Sequence, residues 1–357
     1  MSGTSLDGVD AALVEFCDAQ PILRATYFCS YGAELREQLL ALHYPGHNEL
    51  DRASVLSNRL SHLYAEAVTG LLQYAGFSSG KIAAIGCHGQ TIRHCPEPGR
   101  NYTIQLVNAA LLAELSEMTV VADFRSRDIA AGGQGAPLVP AFHASIFRNA
   151  ACHRIIINIG GIANITSLDP HDPVTGFDCG PGNLLMDAWC LRHLGKAYDQ
   201  DGCWAQTGNV IDTLLETMLA EAFFTCKPPK STGRDLFNPS WLGGKLTGSE
   251  SPQDVQATLL QLTAVSIVQA VEAYCPTAKE VYVCGGGAHN SALMRKLTEA
   301  MPDKHLAKTD QLGVAVDWVE AYAFAWLARQ TMLGRCGNLA AVTGAQGERI
   351  LGAIYPA

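Results

Sequence analysis

RIIINIGGIANITSL, residues 154–168, contains two apolar, β-branched runs on either side of a Gly-Gly turn, and this stretch decides the fold. Such a pattern is typical of a β-hairpin. The runs VDAALVEF, residues 9–16, and ILRATYFC, residues 22–29, predict a second pair of strands near the start of the chain. A hairpin therefore opens each half of the chain, which predicts two related α/β domains facing a cleft.

The segments between and after the hairpins predict alternating helices and short strands. Residues 51–74 place Leu and Ala at helical spacing, which indicates a long amphipathic helix. Further helices are predicted at 183–194, 253–274, 291–301 and 317–332, and short strands at 82–86, 103–107, 118–122 and 280–287. Gly and Pro concentrate at residues 130–140, which indicates a linker.

The composition indicates a globular, acidic protein. The 357 residues include 25 Lys and Arg against 34 Asp and Glu, for a net charge of −9, and 48% are hydrophobic. An acidic chain without a dense Lys/Arg run argues against a nucleic-acid or anionic-membrane partner. No apolar run approaches the ~20 residues that span a bilayer, and MSGTSLDGVD has no signal-peptide character. We therefore expect a cytoplasmic protein.

The 12 cysteines are scattered and never form a C-x-x-C pair. A structural zinc site needs clustered ligands, so none is predicted. Many of the cysteines lie in apolar or Ala-rich surroundings, where a free thiol behaves as a small hydrophobe. We expect buried, reduced thiols.

Three Gly-rich loops have phosphate-binding character. GTSLDGVD, residues 3–10, offers glycines and hydroxyls just before a strand, and backbone amides of such turns converge on anions. An Asp in the same turn repels phosphate unless Mg²⁺ lies between them. The alternative is an ordinary hairpin turn, in which Gly, Asp and Ser are also favoured.

The other two loops are NIGGIAN, residues 158–164, and CGGGAHN, residues 284–290. The last loop follows a strand and opens a helix, as an anion site does. Neither a complete G-x-G-x-x-G nor a P-loop motif is present, which disfavours a dinucleotide-binding or P-loop protein. One ATP site between two domains explains all three loops.

Ten motifs then follow one another in an order that is specific to one family. They are MSGTSLDGVD (1–10), GCHGQT (86–91), DFRSRD (123–128), GGQGAPLVPAFH (132–143), NIGGIANI (158–165), GFDCGPGNLLMDAW (176–189), KSTGRDLFN (230–238), DVQATLLQLTA (254–264), VCGGGAHN (283–290) and EAYAFAWLA (320–328). The chain resembles the 1,6-anhydro-N-acetylmuramic acid kinase family throughout. The resemblance implies an actin-like ATPase fold, of the hexokinase and heat-shock ATPase type, with two α/β domains around a nucleotide cleft. It also implies a bacterial cytoplasmic enzyme of cell-wall recycling, which uses ATP and Mg²⁺ to open the anhydro ring and phosphorylate the sugar.

The resemblance implies a role for each motif. The first phosphate loop would comprise Gly3, Thr4, Ser5, Leu6, Asp7, Gly8, Val9 and Asp10, with Asp7 near the Mg²⁺. Gly160 and Gly161 would belong to the second phosphate loop, and Gly285, Gly286 and Gly287 would lie by the nucleoside. Domain I would be residues 1–135 with 329–357, and domain II residues 136–328.

Asp178 falls on the catalytic acid of the family, followed here by Cys179 where a small residue is usual. His88, Thr91, Arg125, Arg127 and Glu320 match positions associated with the sugar. Which arginine contacts the sugar stays open. We also expect a homodimer.

The residues themselves leave alternatives to these roles. Asp178 precedes a predicted helix, where Asp is often an N-cap or Asx-turn acid. His88 could be a general base, because the unperturbed pKa of a histidine lies near neutrality, but it is equally suited to a structural hydrogen bond, and we expect it to line the pocket. Strand-like alternation would place Arg125 and Arg127 on one face, where they could hold a carboxylate. The alternative role of the two arginines is a surface salt bridge with Asp123 or Asp128. Asp187, on the predicted helix, is expected to be solvated or packed.

One further expectation follows from the resemblance. Family members carry a short apolar strand before MSGTSLDG, so such a strand before Met1 is expected to tighten ATP binding.

The competing functions are a chaperone- or filament-type ATPase, a plain sugar-hydroxyl kinase and a non-catalytic sugar-binding module. ATP consumption that depends on the anhydro sugar separates the first and third from the favoured function.

Overall fold

The computed structural model of the chain describes residues 1–3, 6–16 and 21–357. The chain divides into two compact units, unit 1 with Met1–Ile146 and Trp318–Ala357, and unit 2 with Phe147–Asp317. Thr4 and Ser5 of the predicted phosphate loop lie outside the described residues.

The elements of both units alternate along the chain, as an α/β fold requires. The strands are β1 Gly8–Phe16, β2 Pro21–Ser30, β3 Ile85–Gly86, β4 Gln90–Cys95, β5 Tyr102–Leu106, β6 Val120–Ala122, β7 Arg154–Ile159, β8 Ile162–Leu168, β9 Thr175–Pro181, β10 Glu280–Cys284, β11 His305–Lys308 and β12 Ala353–Tyr355. The helices are α1 Ala33–Ala41, α2 Glu49–Ala75, α3 Ala109–Ser116, α4 Ser126–Ala130, α5 Val139–Phe147, α6 Leu184–Leu194, α7 Asp212–Leu219, α8 Ala222–Thr225, α9 Pro239–Gly243, α10 Pro252–Tyr274, α11 Ser291–Ala300, α12 Val319–Met332 and α13 Ala340–Thr343. The predicted α/β class is confirmed.

Unit 2 contains a five-stranded sheet in the order β11-β10-β7-β8-β9. β7 and β8 form the predicted hairpin, with Ile157 opposite Ile165, and β8 pairs antiparallel with β9. β10 is parallel to both β7 and β11. The isoleucines of β7 are fully buried, as expected for a strand in the middle of a sheet with both faces covered.

The described residues of unit 1 form three smaller sheets, β1-β2, β12-β6-β3 and β4-β5. The predicted hairpin is confirmed as β1 and β2, and the predicted helix at 51–74 is confirmed as α2. Leu56, Leu60 and Ala67 of α2 pack in the core with Val9 of β1. The predicted strand at 82–86 is only two residues long, because residues before Ile85 are not paired with β6.

Two helices of unit 1 lie beyond the boundaries that the sequence predicted for domain I. α5 and most of α12 fall within the predicted range 136–328 of domain II. In the structure the ring of Phe142 on α5 lies 6.0 Å from Tyr322 and 6.3 Å from Trp326 on α12. The ring of Phe324 on α12 in turn lies 4.6 Å from His88 and 5.5 Å from Phe124, so both helices pack with residues 1–135.

Helix α10 is the one described helix whose length and apolarity would suffice to cross a membrane. However, 72% of its apolar window is buried inside the protein, where Leu260, Leu262 and Ile267 are almost fully covered. Such burial is typical of a core helix of an α/β unit.

The prediction of buried thiols is correct only in part. Of the eleven described cysteines, five are buried, namely Cys87, Cys179, Cys190, Cys275 and Cys284, whereas Cys203, Cys226 and Cys336 are exposed. None of the eleven described cysteines forms a disulfide, in agreement with the predicted reduced state. The exposed three lie in loops, where an apolar neighbourhood in sequence does not enforce burial in space.

Candidate active site

The glycine motifs of unit 2 meet at one edge of the five-stranded sheet. β7, β9 and β10 all point the same way, since β8 runs antiparallel to both β7 and β9 and β10 is parallel to β7. Their carboxyl ends therefore lie at the same edge. In α/β sheets, ligands bind outside the carboxyl ends of the strands.

Gly160 and Gly161 form the turn between β7 and β8, and they contact the segment that leads into α6. The amides of Gly182 and Asn183 donate to the carbonyls of Gly161 and Gly160 at 2.9 and 2.8 Å. A Cβ at Gly182 would lie 2.3 Å from the Gly160 oxygen, so only glycine permits this approach. The second predicted phosphate loop is thus fixed against the start of a helix.

Gly285 and Gly287 pack against the end of β7, and Gly286 lies beside Asn183. A Cβ at Gly285 would lie 2.3 Å from Asn158 Oδ1, and one at Gly287 would lie 2.3 Å from the Ile159 side chain. Gly285 also has a φ of +78°, which favours glycine. The structure therefore brings the predicted nucleoside loop next to the second phosphate loop.

Asp178 lies near the carboxyl end of β9, beside a β-bulge. Asn164 pairs with Asp178 and Ala163 with Gly180, which leaves Cys179 as the extra residue. Bulges of this kind re-aim neighbouring side chains and are frequent next to active sites. Asp178 is not the N-cap of α6, because that helix begins at Leu184 after Asn183.

The carboxylate of Asp178 is held by a distant loop. Its Oδ2 accepts from the Thr232 amide at 2.9 Å and from Ser231 Oγ at 3.1 Å. Within the described part of the chain, these hydrogen bonds reach Oδ2 and none reaches Oδ1. Burial raises the pKa of Asp178 to about 6, although these two hydrogen bonds and the charge of Lys230 act to lower it. Such a carboxylate can exchange a proton near neutral pH.

The first predicted phosphate loop lies against the GCHGQT motif in unit 1. Ser2 Oγ donates to the Gly89 carbonyl at 3.1 Å, and Gln90 Nε2 donates to the Gly3 carbonyl at 3.1 Å. Asp7 is exposed, whereas Leu6 is buried and has a positive φ of 57°.

The last three residues of that predicted loop, Gly8, Val9 and Asp10, belong to strand β1. The Val9 side chain is buried in the core, so only its backbone is able to contact a ligand. A Cβ at Gly8 would lie 2.4 Å from the Cys29 carbonyl oxygen on β2.

His88 and Arg125 contact each other directly. Arg125 Nε and Nη2 lie 3.1 and 2.9 Å from His88 Nε2, and Arg125 Nη1 donates to the Gly135 carbonyl at 2.7 Å. Because a guanidinium only donates, His88 Nε2 must accept, and its Nδ1–H then donates to the Ser2 carbonyl at 3.3 Å. Burial and the neighbouring Arg125 charge hold the pKa of His88 well below its usual range. His88 is a neutral acceptor that orients Arg125.

Arg125 and Arg127 do not lie on one face, so that prediction is wrong. The chain enters helix α4 after Arg125 instead of extending strand β6. Asp123 Oδ1 accepts from the Ser126 amide at 3.3 Å, which starts the turn. As a result Arg125 is half-buried and Arg127 is exposed.

Glu320 and Thr91 complete the predicted sugar residues. Glu320 lies in the first turn of α12. Burial lowers the pKa of Arg125 to about 10, and the charges of Glu320 and Asp128 oppose that shift. Thr91 lies on β4, where its Oγ1 accepts from Gln105 Nε2 at 3.2 Å. The structure thus places Glu320 within electrostatic range of the His88–Arg125 pair, and Thr91 three residues further along the chain from His88.

Ser231 and Thr232 of the site were not assigned a role from the sequence. Ser231 and Thr232 lie in the KSTGRDLFN motif, which identified the family but gave no contact with Asp178. Asp187, expected to be solvated or packed, is half-buried on α6, and burial raises its pKa to about 7. The raised pKa reflects the cost of a charge at a site where few hydrogen bonds offset desolvation.

The whole chain, residues 1–357, matches the family described as anhydro-N-acetylmuramic acid kinase. Curated relatives with that name are 58% identical in Nitrosospira multiformis, 59% in Nitrosomonas europaea and 56% in Thiobacillus denitrificans. Each alignment covers 100% of this chain and 96–98% of the relative.

Solved structures give a weaker likeness. The activator of the 2-hydroxyisocaproyl-CoA dehydratase from Clostridium difficile with bound ADPNP has a TM-score of 0.43 and 13% identity, covering 91% of this chain and 97% of that one. Component A of the (R)-2-hydroxyglutaryl-CoA dehydratase from Acidaminococcus fermentans has a TM-score of 0.42. At these TM-scores the likeness adds nothing to the site.

Glycine turns at the carboxyl edge of an α/β sheet, with a carboxylate at the same edge, are features of a nucleotide-binding α/β enzyme. The full-length match is more specific than this class. The chain belongs to the anhydro-N-acetylmuramic acid kinase family. The predicted family, the enzyme class, the use of ATP and the role in peptidoglycan recycling are confirmed.

Proposed function

We propose that Asp178 is the general base of a reaction that opens the 1,6-anhydro ring of anhydro-N-acetylmuramic acid and phosphorylates its O6. One observation carries this proposal. The carboxylate lies at the sheet edge where the glycine turns meet, and Ser231 and Thr232 hold its Oδ2 and leave Oδ1 available. A base needs both a fixed position and an open oxygen.

The substrate determines what the base must do. The bicyclic sugar has no free hydroxyl at its sixth carbon, so the bond between C1 and O6 must break before O6 is phosphorylated. Asp178 takes a proton from water, the water oxygen bonds to C1, and O6 takes the γ-phosphoryl group of ATP. The products are N-acetylmuramic acid 6-phosphate and ADP. Water approaches opposite the leaving oxygen, so the anomeric carbon is inverted.

The glycine motifs bind the nucleotide. In unit 2 the turn Gly160–Gly161 offers backbone amides to phosphates, and Gly285–Gly287 lie by the nucleoside. In unit 1 the phosphate-binding part of the first loop is the part that precedes β1. The support for the unit 2 assignments is the position of these turns at the carboxyl edge of the sheet, where Gly182, Gly285 and Gly287 have no room for a Cβ against neighbouring protein atoms.

The residues present fit Mg²⁺ as a partner of the phosphates. Mg²⁺ is usually bound by one or two carboxylates together with substrate phosphates. Asp7 is an exposed carboxylate in the first loop, whereas the described residues contain no group of three metal-ligating side chains. Asp7 would hold the ion, which would supply charge neutralisation at the phosphates.

Arg125 binds the lactyl carboxylate of the sugar. A guanidinium has five N–H donors. In Arg125, Nε and Nη2 each donate one hydrogen bond to His88, and Nη1 donates one to the Gly135 carbonyl. The remaining N–H groups of Nη1 and Nη2 form a fork that matches a carboxylate. Thr91 and Glu320 contact sugar hydroxyls, and the exposed Arg127 has no part in this site.

We further propose that the enzyme is a cytoplasmic homodimer without a nucleic-acid or membrane partner. The net charge of −9 supports the absence of polyanionic partners. Sedimentation equilibrium at micromolar concentration tests the oligomeric state.

The ring-opening step is tested in ¹⁸O-labelled water. We expect the product to gain one labelled oxygen at the anomeric carbon, because that oxygen comes from the water that Asp178 activates. Mass spectrometry of early time points measures the label, and preformed product in the same water controls for spontaneous exchange. Phosphorylation without this label would indicate a plain sugar-hydroxyl kinase.

The pH dependence of kcat/KM for the sugar reports the ionisation of the base. The pKa of Asp178 is about 6, and only the ionised form accepts a proton. We therefore expect kcat/KM to be level above neutral pH and to fall about tenfold per pH unit below pH 6. His88 does not contribute an acid limb, since its pKa is well below its usual range. A rate that stays constant down to pH 4.5 would contradict the assignment.

A further inference from the structure

The open edge of β9 is covered at Asp178 by a loop from far along the chain. β9 is the last strand of its sheet, and its other edge pairs with β8. On the open side the Asp178 amide donates to the Lys230 carbonyl at 3.1 Å. The next two residues of the loop, Ser231 and Thr232, donate to Asp178 Oδ2. Three hydrogen bonds thus join one residue to a three-residue segment.

Lys230 is fixed at the other side of this segment. Its Nζ donates to the carbonyls of Phe223 and Phe224 at 3.2 and 3.5 Å, near the end of helix α8. The ammonium also lies 4.6 Å from the centre of the Phe223 ring, a cation–π distance. These two carbonyls and the Phe223 ring hold the ammonium of Lys230 against α8.

We propose that residues 230–232 are a positioning segment for the catalytic base, which fixes Oδ2 of Asp178 and thereby directs Oδ1 at the attacking water. Thr232 fixes Oδ2 through its backbone amide, while the Ser231 hydroxyl and the positive charge of Lys230 favour the ionised carboxylate. The inference rests on the proposed role of Asp178. It adds to that role the groups that orient the carboxylate of Asp178 and the cation that balances its charge.

The segment also keeps the base ionised. Hydrogen bonds to a carboxylate favour its charged form, and so does a nearby cation. Lys230 is the charged group that opposes the burial effect at Asp178. Cys179, the neighbour on β9, stays protonated because burial holds its pKa well above the usual range. On β8 the partner of Asp178 is the neutral Asn164.

Removing the hydroxyl of Ser231 tests the proposal through a pH profile. Ser231→Ala is expected to move the acid limb to higher pH, with kcat/KM lowered about fivefold at pH 6 and within about twofold of the wild type at pH 8.5. Lys230→Met is expected to shift the acid limb of kcat/KM in the same direction, and Lys230→Arg is expected to return it to the wild-type position. Thr225→Val on α8 removes an exposed hydroxyl outside this segment and is the matched control.

The outcomes separate this inference from the proposed function. Deficits of Ser231→Ala and Lys230→Met that are equal at every pH would show a merely structural role and overturn the inference. Unchanged profiles beside an inactive Asp178→Asn would also overturn it, while Asp178 would remain the base. Full turnover by Asp178→Asn would instead overturn the proposed function, on which the segment depends.

Discussion

Asp178→Asn is expected to lower turnover by about 10²–10⁴ while the sugar still binds, the usual contribution of a positioned general base. The amide keeps the shape of the side chain and its carbonyl oxygen can still accept from Ser231 and Thr232. It cannot take a proton from water, so the C1–O6 bond does not open. Single-turnover rates and the sugar Kd, measured by calorimetry with a non-hydrolysable ATP analogue, give the two quantities separately.

Asp187→Asn is the matched control for that substitution. Asp187 is also a half-buried carboxylate of unit 2, with its pKa raised to about 7, but it lies on α6 outside the segment that holds Asp178. We expect its variant to keep turnover within about threefold and to keep an acid limb near pH 6, because the base is unchanged. If Asp178→Asn turned over at the wild-type rate, or if Asp187→Asn were the inactive variant, the base would be misassigned.

The hairpins and long helices could be predicted because their signals are local. The apolar runs on either side of Gly160–Gly161 predict β7 and β8, and the spacing of leucines in α2 predicts a helix. The length of β3 could not be predicted, since it depends on how far β6 runs beside it. The grouping of α5 with α12 rests on ring contacts between Phe142 and residues about 180 positions later.

The features of the site likewise divide into those that the sequence could predict and those that it could not. Asp178 and the glycine turns could be identified because each lies in a motif of the family. The contacts of Asp178 with Ser231 and Thr232 join residues 53 and 54 positions apart, and no periodicity in the chain encodes them. The difference between Arg125 and Arg127 depends on one turn at Asp123, which replaces strand alternation by a helix.

That difference leads to the second large expected effect. Arg125→Ala is expected to raise KM for the sugar on the order of 10- to 100-fold, because a carboxylate loses its charge-assisted hydrogen bonds. Arg127→Ala is expected to change KM by less than about twofold, since an exposed arginine contributes little. Both variants lie in the same DFRSRD motif, so they form a matched pair. Thermal unfolding of each variant checks that the fold is retained.

An anhydro sugar without the lactyl group distinguishes carboxylate binding from a general effect on the pocket. The wild type should discriminate against this analogue in kcat/KM, because its Nη1 and Nη2 donors find no carboxylate there. Arg125→Ala should lose most of that discrimination, whereas Arg127→Ala should keep it. If Arg125→Ala discriminated as strongly as the wild type, the guanidinium would serve only to hold His88 and the Gly135 carbonyl, and the carboxylate would be bound elsewhere. Equal losses in both variants would show that the two arginines share the substrate in spite of their different burial.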